Sequence, residues 1–263
     1  MQTDTVLVER DGGIVTVTMN RPERKNAVNG AMWRELRGVF EEIARRLDDR
    51  VVVLTGAGGA FCSGADLTDP TGIGGGEPDE PYLLRMRRVS DVVLALHRIP
   101  QPTIAKVEGV AVGAGLSLAL ACDLLVASET ARLSVIFSRR GLSVDGGSSW
   151  LLPRLVGLQR AKELAYFGDM LTAPQAAEFG IVNRVVPSGE LDEFVHDWAG
   201  RLAVGPTQAM SMTKAMLNNS FDVSMEQALE DEARCQTVNF ASADTAEAMA
   251  AFTQKREPRF LGY

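Results

Sequence analysis

The sequence TIAKVEGVAVGAGLSLALACDLLVAS, residues 103–128, contains two short strand patterns separated by a glycine-rich turn and an apolar helical pattern. The runs at residues 103–107 and 124–127 are rich in aliphatic side chains, which is typical of buried strands. A strand that leads through a glycine turn into a helix leaves backbone N–H groups of the turn without intrahelical partners. The stretch therefore predicts an α/β protein with a donor-rich turn near its centre.

The same alternation of strands and helices continues on both sides of this stretch. The predicted strands are residues 14–19, 51–55, 103–107, 124–127 and 181–186, and the helices between them include residues 31–47 and 82–97. Beyond these, only helices are predicted, at residues 191–204, 206–218, 224–240 and 243–255. We therefore expect a core domain of residues 1–191 and an all-helical region of residues 192–263, whose apolar stripes need a surface to cover.

Composition excludes several classes of function. A chain of 263 residues with 46% hydrophobic residues can bury a substantial core, and its net charge of −7 argues against a nucleic-acid partner. The three cysteines are widely spaced, which argues against disulfides and favours a cytoplasmic location. No residues have the spacing of metal ligands, so we expect no metal site. The start of the chain has no signal-peptide pattern, and the most apolar stretch, residues 109–122, is too short to span a membrane. We expect no membrane partner.

A second glycine-rich turn, AGGAFCSGADL at residues 57–67, also follows a predicted strand. If it lies beside the turn at residues 110–116, the two would supply a pair of N–H donors that stabilise a developing enolate oxygen. The alternative is that these glycines only allow close packing. Neither turn has the spacing of a dinucleotide-binding fingerprint.

The stretch FSRRGLSVDGGSSW, residues 137–150, places one carboxylate, Asp145, in a glycine turn between apolar runs. Two interpretations are open. Asp145 could be a general base whose pKa is raised by apolar neighbours. It could instead cap a helix that begins at Gly146. The apolar neighbours expected from the sequence are Phe137, Leu142, Val144 and Trp150.

In combination, these stretches resemble the enoyl-CoA hydratase/isomerase (crotonase) superfamily along nearly the whole chain. The matching motifs are NRPERKNAVN (20–29), AFCSGADL (60–67), PTIAKVEGVAVGAGLSLALACDLLVAS (102–128), GLSVDGGSSWLLPRLVG (141–157), AAEFGIVNRVVP (176–187) and FTQKREPRF (252–260). The resemblance implies a spiral of ββα turns with a C-terminal helical region, and assembly as a homotrimer or as a homohexamer built from two trimers. It also implies an acyl-CoA thioester substrate, so that coenzyme A enters with the substrate and no separate cofactor is expected.

The resemblance also assigns residues to the site. The backbone N–H groups of Ala65 and Ala114 would bind the thioester oxygen, and Ala114 stands where the family usually has glycine. The strand end containing Ala65, Asp66 and Leu67 would lie against the adenine of coenzyme A. The other expected contacts are Arg24 and Lys25 with the phosphates, and Phe252 and Lys255 with the nucleotide bound by a neighbouring subunit. For the charged side chains, a solvated surface position is the alternative.

Departures from the family pattern point to the reaction. A family hydratase carries two glutamates, and their positions are occupied here by Ser117 and Phe137, so two-glutamate hydration is not expected. Asp145 resembles the catalytic aspartate of certain enoyl-CoA isomerases, which need only one acid/base group. We therefore expect an isomerase that moves a C=C bond through a dienolate. The alternatives are hydration with another water-holding group such as Ser117, a dehalogenase-like attack by Asp145, or acyl-CoA binding without catalysis.

Two further features have open interpretations. The loop at residues 68–81 is rich in Gly, Pro and acidic residues, and it is either a lid or a solvated surface loop. Arg139 and Arg140 either flank the pocket or pair with acidic residues on the surface.

Overall fold

Two sheets organise the protein, whose computed structural model describes residues 4–76 and 79–262. The strands are β1 (Val6–Asp11), β2 (Ile14–Met19), β3 (Val51–Gly56), β4 (Thr103–Val107), β5 (Val110–Val112), β6 (Leu124–Ser128), β7 (Arg132–Ser134), β8 (Leu171–Thr172) and β9 (Arg184–Val186). The helices are α1 (Gly30–Ile43), α2 (Tyr82–His97), α3 (Ala114–Leu120), α4 (Ser148–Val156), α5 (Leu158–Phe167), α6 (Ala173–Glu178), α7 (Leu191–Ala203), α8 (Thr207–Asn219), α9 (Met225–Phe240) and α10 (Ala243–Gln254). Short 3₁₀ helices occupy Pro22–Arg24, Ile136–Arg140 and Ser188–Glu190.

The larger sheet has the strand order β1-β2-β3-β4-β6-β9, and the smaller has the order β5-β7-β8. In the larger sheet, the neighbouring strands β2, β3, β4, β6 and β9 pair in parallel, and β1 pairs antiparallel with β2. Because β4 is followed by β5, and β6 by β7, these two turns of the chain each give one strand to each sheet before they enter a helical segment. This is the expected spiral of ββα turns.

Helices cover both faces of the larger sheet. One hydrophobic cluster joins β2, β3 and β4 to α1, α2 and α3, while a second joins the opposite face to α7 through Leu191, Val195 and Ala199. The boundary expected at residue 191 thus falls at the start of a helix that packs on the sheet. In contrast, α8 and α9 have no buried residues in this chain.

Most of the predicted elements lie where the sequence patterns put them. The strand predicted at residues 181–186 is wrong in its first half, because only Arg184–Val186 pairs with β6. The N–H groups of Ile181 and Val182 instead donate to Ala176 O, which makes a tight corner after α6. The sequence patterns also missed the edge strand β1 and the smaller sheet, whose strands have only two or three residues each.

The described helices include none that combines the length and apolar character needed to cross a membrane. Within the same residues, no three His, Cys, Asp or Glu side chains gather in a way that could hold a metal ion.

Candidate active site

The two glycine-rich turns lie side by side. Cys62 and Ala111 form a parallel bridge, in which the Cys62 N–H donates to Val110 O (2.8 Å) and the Val112 N–H donates to Cys62 O (3.0 Å). Gly64 has a φ of +99°, and a Cβ atom there would lie 3.0 Å from Val112 O. Glycine is required at this position because the backbones of the two turns approach too closely for a side chain.

Two backbone N–H groups are left free where the turns meet. Val28 bonds to the residues on either side of Ala65, through its N–H to Gly64 O (2.8 Å) and its carbonyl to the Asp66 N–H (2.9 Å). The N–H of Ala65 therefore faces away from Val28. Ala114 is the first residue of α3, and Gly113 before it has no side chain that could accept its N–H. Neither group has an acceptor in residues 4–76 and 79–262.

Both alanines line one cavity of about 440 Å³, a size suited to a small-molecule acyl group. The cavity wall is mainly apolar. Its other lining residues are Trp33, Ser63, Gly64, Leu67, Gly72, Ile73, Tyr82, Met86, Val89, Val112, Gly113, Ile136, Phe137, Arg140, Leu142, Ser143 and Asp145.

Asp145 is the one acidic side chain among the described lining residues. Its Oδ1 atom is buried and has no hydrogen-bond partner in the described chain. Burial raises the pKa of Asp145 to about 6, because the charged form loses its water without gaining a compensating partner. Helix α4 begins at Ser148, and its N-cap, Gly147, makes no side-chain capping bond. The Ser148 N–H donates to the backbone carbonyl Asp145 O (3.1 Å), and no N–H group of the described chain donates to the Asp145 carboxylate, so the helix-cap interpretation is wrong.

Ser117 lies beneath the Asp145 turn and outside the cavity lining. It is 1% exposed, and its Oγ lies 2.8 Å from Ser148 Oγ, 3.1 Å from Asp145 O and 3.2 Å from Gly113 O. A hydroxyl carries one hydrogen, so Ser117 donates to one of the two carbonyls and can accept from Ser148. These contacts tie the turn before Ala114 to the turn that carries Asp145.

The apolar surroundings expected for Asp145 are present in part. Phe137 and Leu142 line the cavity with it, and Val144 packs on the main hydrophobic cluster. Trp150 does not line the cavity. Its ring instead packs edge-on against His97, with 5.6 Å between the ring centroids.

The residues expected to contact coenzyme A lie in two places. Arg24 and Lys25 are exposed, and their carbonyls accept from the Oγ (3.1 Å) and N–H (3.0 Å) of Ser63, next to Ala65. The side chain of Leu67 lines the cavity. Phe252, which is 84% exposed, and Lys255 lie at the end of α10, and neither lines the cavity.

The side chain of Asp66 points inward. It forms an ion pair with Arg21 (2.9 Å) and accepts from the N–H (3.1 Å) and Oγ1 (2.7 Å) of Thr68. Burial alone would raise the pKa of Asp66, but the bonds from Thr68 and Arg21 outweigh it and hold the pKa below its usual range. Asp66 thus fixes the backbone on the C-terminal side of Ala65.

The first half of the loop at residues 68–81 forms a fixed wall of the cavity, while residues 77 and 78 lie outside the described chain. The indole N–H of Trp33 donates to Gly72 O (3.0 Å), and the buried guanidinium of Arg85 donates to Ile73 O (2.8 Å) and to Pro70 O. A Cβ atom on Gly72 would lie 1.8 Å from Asp66 O. Sequence patterns did not predict this anchoring, because Trp33 is 39 residues from Gly72, and Arg85, near the start of the helix that follows the loop, is a charged residue that a sequence pattern would place on the surface.

Known proteins are similar to this chain in both sequence and fold. The family model for enoyl-CoA hydratase/isomerase matches residues 9–262. The 1,2-epoxyphenylacetyl-CoA isomerase of Escherichia coli is 37% identical over 261 residues, which cover 98% of each chain. A protein of Rhodobacter capsulatus named as a probable enoyl-CoA hydratase is 37% identical over 265 residues, with full coverage of both chains.

The crystal structure of an enoyl-CoA hydratase from Bacillus anthracis superposes with a TM-score of 0.92 at 31% identity, covering 98% of this chain and 100% of that one. Matches of this extent in sequence and in structure show that the chain belongs to the enoyl-CoA hydratase/isomerase family.

Proposed function

We propose that this enzyme is an enoyl-CoA isomerase that moves a C=C bond next to a thioester through a dienolate. The observation that carries the proposal is the pairing of one half-buried carboxylate, Asp145, with two free N–H groups, those of Ala65 and Ala114, on one apolar cavity. An isomerisation of this kind needs one acid/base group and one anion-stabilising site.

In the proposed reaction, the thioester oxygen accepts hydrogen bonds from the N–H groups of Ala65 and Ala114. Asp145 removes a proton from the carbon next to the thioester carbonyl, and the electron pair of that C–H bond delocalises into a dienolate whose oxygen carries the charge. The neutral carboxyl of Asp145 then returns the proton two carbons further along, and the C=C bond becomes conjugated with the thioester. Burial suits this exchange because it brings the pKa of Asp145 to about 6, close to neutral pH.

Ser117 and Phe137 argue against hydration. Hydration needs a group that activates water in the cavity, and Phe137 has no such group. Ser117 is buried under the Asp145 turn, with its hydroxyl already engaged by Ser148 and a backbone carbonyl. We therefore assign Ser117 a positioning role, in which it holds the two halves of the site together.

The proposal includes the binding mode and the assembly. The substrate is an acyl-CoA thioester, with Arg24 and Lys25 near its phosphates and the segment from Ala65 to Leu67 near its adenine. The protein forms a homotrimer or homohexamer in which Phe252 and Lys255 reach the nucleotide bound by the neighbouring subunit. Support comes from the family membership and from the exposed apolar surface of α8–α10. The reaction needs no cofactor besides the coenzyme A of the substrate.

The test is the substitution Asp145→Asn, which preserves size and removes the base. With a 3-enoyl-CoA substrate in D₂O, the unmodified enzyme should produce the 2-enoyl-CoA with deuterium exchange at the carbons that gain or lose protons. Its kcat should rise with pH through about 6, where Asp145 becomes charged. The Asp145→Asn variant should lose at least about 10²-fold in kcat.

The control is the affinity for coenzyme A, which should stay nearly unchanged because Asp145 does not contact the nucleotide in this proposal. An Asp145→Asn variant with full isomerase activity would show that another group is the base. Hydration faster than isomerisation in the unmodified enzyme would replace the proposed reaction with a hydratase.

A further inference from the structure

Two adjacent arginines follow Ser138, and the structure separates their roles. Arg139 pairs with Asp169 and donates from Nε to Phe167 O (3.0 Å). Arg140 forms no ion pair within the described chain, and the only hydrogen bond of its side chain there is a long one, 3.5 Å, from Nη1 to Arg139 O. Arg140 lines the cavity that contains Asp145, whereas Arg139 does not. The two arginines are therefore adjacent in sequence and equal in charge, but their surroundings differ.

Arg140 is the one cationic residue among the described residues that line this cavity. The same cavity wall includes Phe137, Leu142 and Tyr82, which suit a hydrocarbon chain. A guanidinium gains nothing from contact with a purely apolar acyl chain, and it loses hydration if the chain covers it. A bound acyl group that brings an anionic acceptor to the guanidinium would replace that lost hydration with charge-assisted hydrogen bonds.

Arg140 and Asp145 line the same cavity but do not form an ion pair within the described chain, and Asp145 Oδ1 has no hydrogen-bond partner there. The guanidinium is therefore not a partner of the proposed base, and it is available to a part of the acyl group away from the reacting carbons. The predicted phosphate contacts, Arg24 and Lys25, lie on a different segment, which pairs with residues 63–66.

We propose that Arg140 recognises an anionic group at the far end of the acyl chain, so that the preferred substrates are acyl-CoA thioesters carrying a second carboxylate. This inference rests on the proposed acyl-CoA site and names the class of acyl group that the site selects. Arg140 is a specificity-determining residue, and the exposed hydroxyls of Tyr82 and Ser143 on the same cavity supply further donors to that carboxylate.

Binding of unreactive thioesters tests the inference without relying on turnover. Calorimetry would compare saturated acyl-CoA thioesters of matched chain length that end in a carboxylate or in a methyl group, together with free coenzyme A. The unmodified enzyme should bind the best carboxylate-ended thioester more tightly than its methyl-ended match. The Arg140→Gln variant should lose about five- to tenfold in affinity for the carboxylate-ended thioester and keep its affinity for the other two ligands.

Arg139→Gln is the matched control, because it removes the same charge one residue away, and it should leave all three affinities unchanged. Arg140→Glu should reverse the preference, favouring a thioester that ends in an ammonium group over one that ends in a carboxylate. Both arginines are exposed, so neither change should prevent folding.

Three results would overturn the inference. Equal binding of the two thioesters at every chain length would show that no end-group anion is recognised. An Arg140→Gln variant that loses affinity for free coenzyme A as well would place Arg140 on a phosphate. An equal loss in the Arg139→Gln variant would indicate a general charge effect. By contrast, a carboxylate preference in an enzyme without isomerase turnover would refute the proposed reaction and support this inference.

Discussion

Two aspartates near the glycine-rich turns have pKa values shifted in opposite directions. Asp145 is half-buried and its Oδ1 atom has no partner, which raises its pKa to about 6, whereas hydrogen bonds from Thr68 and Arg21 hold the pKa of Asp66 below its usual range. The folded state therefore binds a proton on Asp145 more tightly than the unfolded state does, and a proton on Asp66 less tightly. The two side chains should thus make opposite contributions to stability as the pH changes.

The stability of Asp-to-Asn variants should show this difference. For Asp145, the folded state is favoured below the unfolded pKa, and that advantage is lost as the pH rises through about 6. Asp145→Asn mimics the protonated form, so at pH 8 it should raise the free energy of unfolding by about 1–2 kcal/mol, after allowance for partial solvent access. Near pH 4 the gain should disappear.

Asp66→Asn is the matched comparison, and it should destabilise the fold at neutral pH by about 2 kcal/mol, because Arg21 loses its buried partner. That loss should shrink as the pH falls through the depressed pKa of Asp66. Urea unfolding at pH 8 and pH 4 measures the effect at Asp145, and a further series below the ordinary pKa of aspartate measures the effect at Asp66. Destabilisation by Asp145→Asn at pH 8 would mean that the carboxylate makes a stabilising contact that the structure does not contain.

The turn before α4 is built on two successive left-handed residues, Gly146 (φ +57°) and Gly147 (φ +80°). A Cβ atom on Gly146 would lie 2.7 Å from the Cβ of Ser117, so the turn sits directly on α3. Because of this close contact, a shift of α3, which begins at Ala114, would also shift the turn that carries Asp145. The distance between the proposed base, Asp145, and the N–H group of Ala114 therefore depends on how the Asp145 turn packs on α3.

Gly146→Ala should consequently impair catalysis more than its backbone strain explains. Gly141 provides the control, since it has a similar φ of +67° and nothing lies within 4 Å of the Cβ that alanine would add. Each substitution should cost about 1 kcal/mol of stability from left-handed strain. Only Gly146→Ala should also lower kcat, by at least about tenfold, because Asp145 must shift away from Ser117. Steady-state kinetics on folded protein would separate them, and equal kcat values would refute the coupling.

Local patterns predicted the elements that carry the site, but not the contacts that join them. The strands before both glycine turns, and the turn at Asp145, follow from residues adjacent in sequence. The tie from Ser117 to Ser148 spans 31 residues, and the bond from Trp33 to Gly72 spans 39, so neither leaves a local pattern. The smaller sheet was missed for a related reason, since strands of two or three residues exist only through their pairing with other parts of the chain.

The C-terminal helices expose an apolar surface that one chain cannot cover. Phe221, Met225, Phe240, Met249 and Phe252 are all more than half exposed, and they belong to α8–α10 or to the connections between these helices. Exposed large hydrophobic residues in such number mark an interaction surface. A closed homo-oligomer covers such a surface without partners of another kind. The proposed homotrimer or homohexamer would cover this surface, and light scattering should detect a particle of three or six chains; a monomer would refute the proposed assembly.

Mixing two defective variants tests whether subunits complete each other's sites. Asp145→Asn removes the proposed base and keeps Phe252, whereas Phe252→Ala keeps the base and should raise KM by weakening the contact with the nucleotide. If Phe252 serves the neighbouring site, mixed trimers formed by joint refolding contain sites with Asp145 from one chain and Phe252 from the next. At substrate concentrations below KM, the mixture should then be more active than the average of the two variants refolded separately. The mixture would have only that average activity if the protein is a monomer, or if Phe252 serves the site of its own chain. Each variant refolded alone at the same total protein concentration controls for losses during assembly.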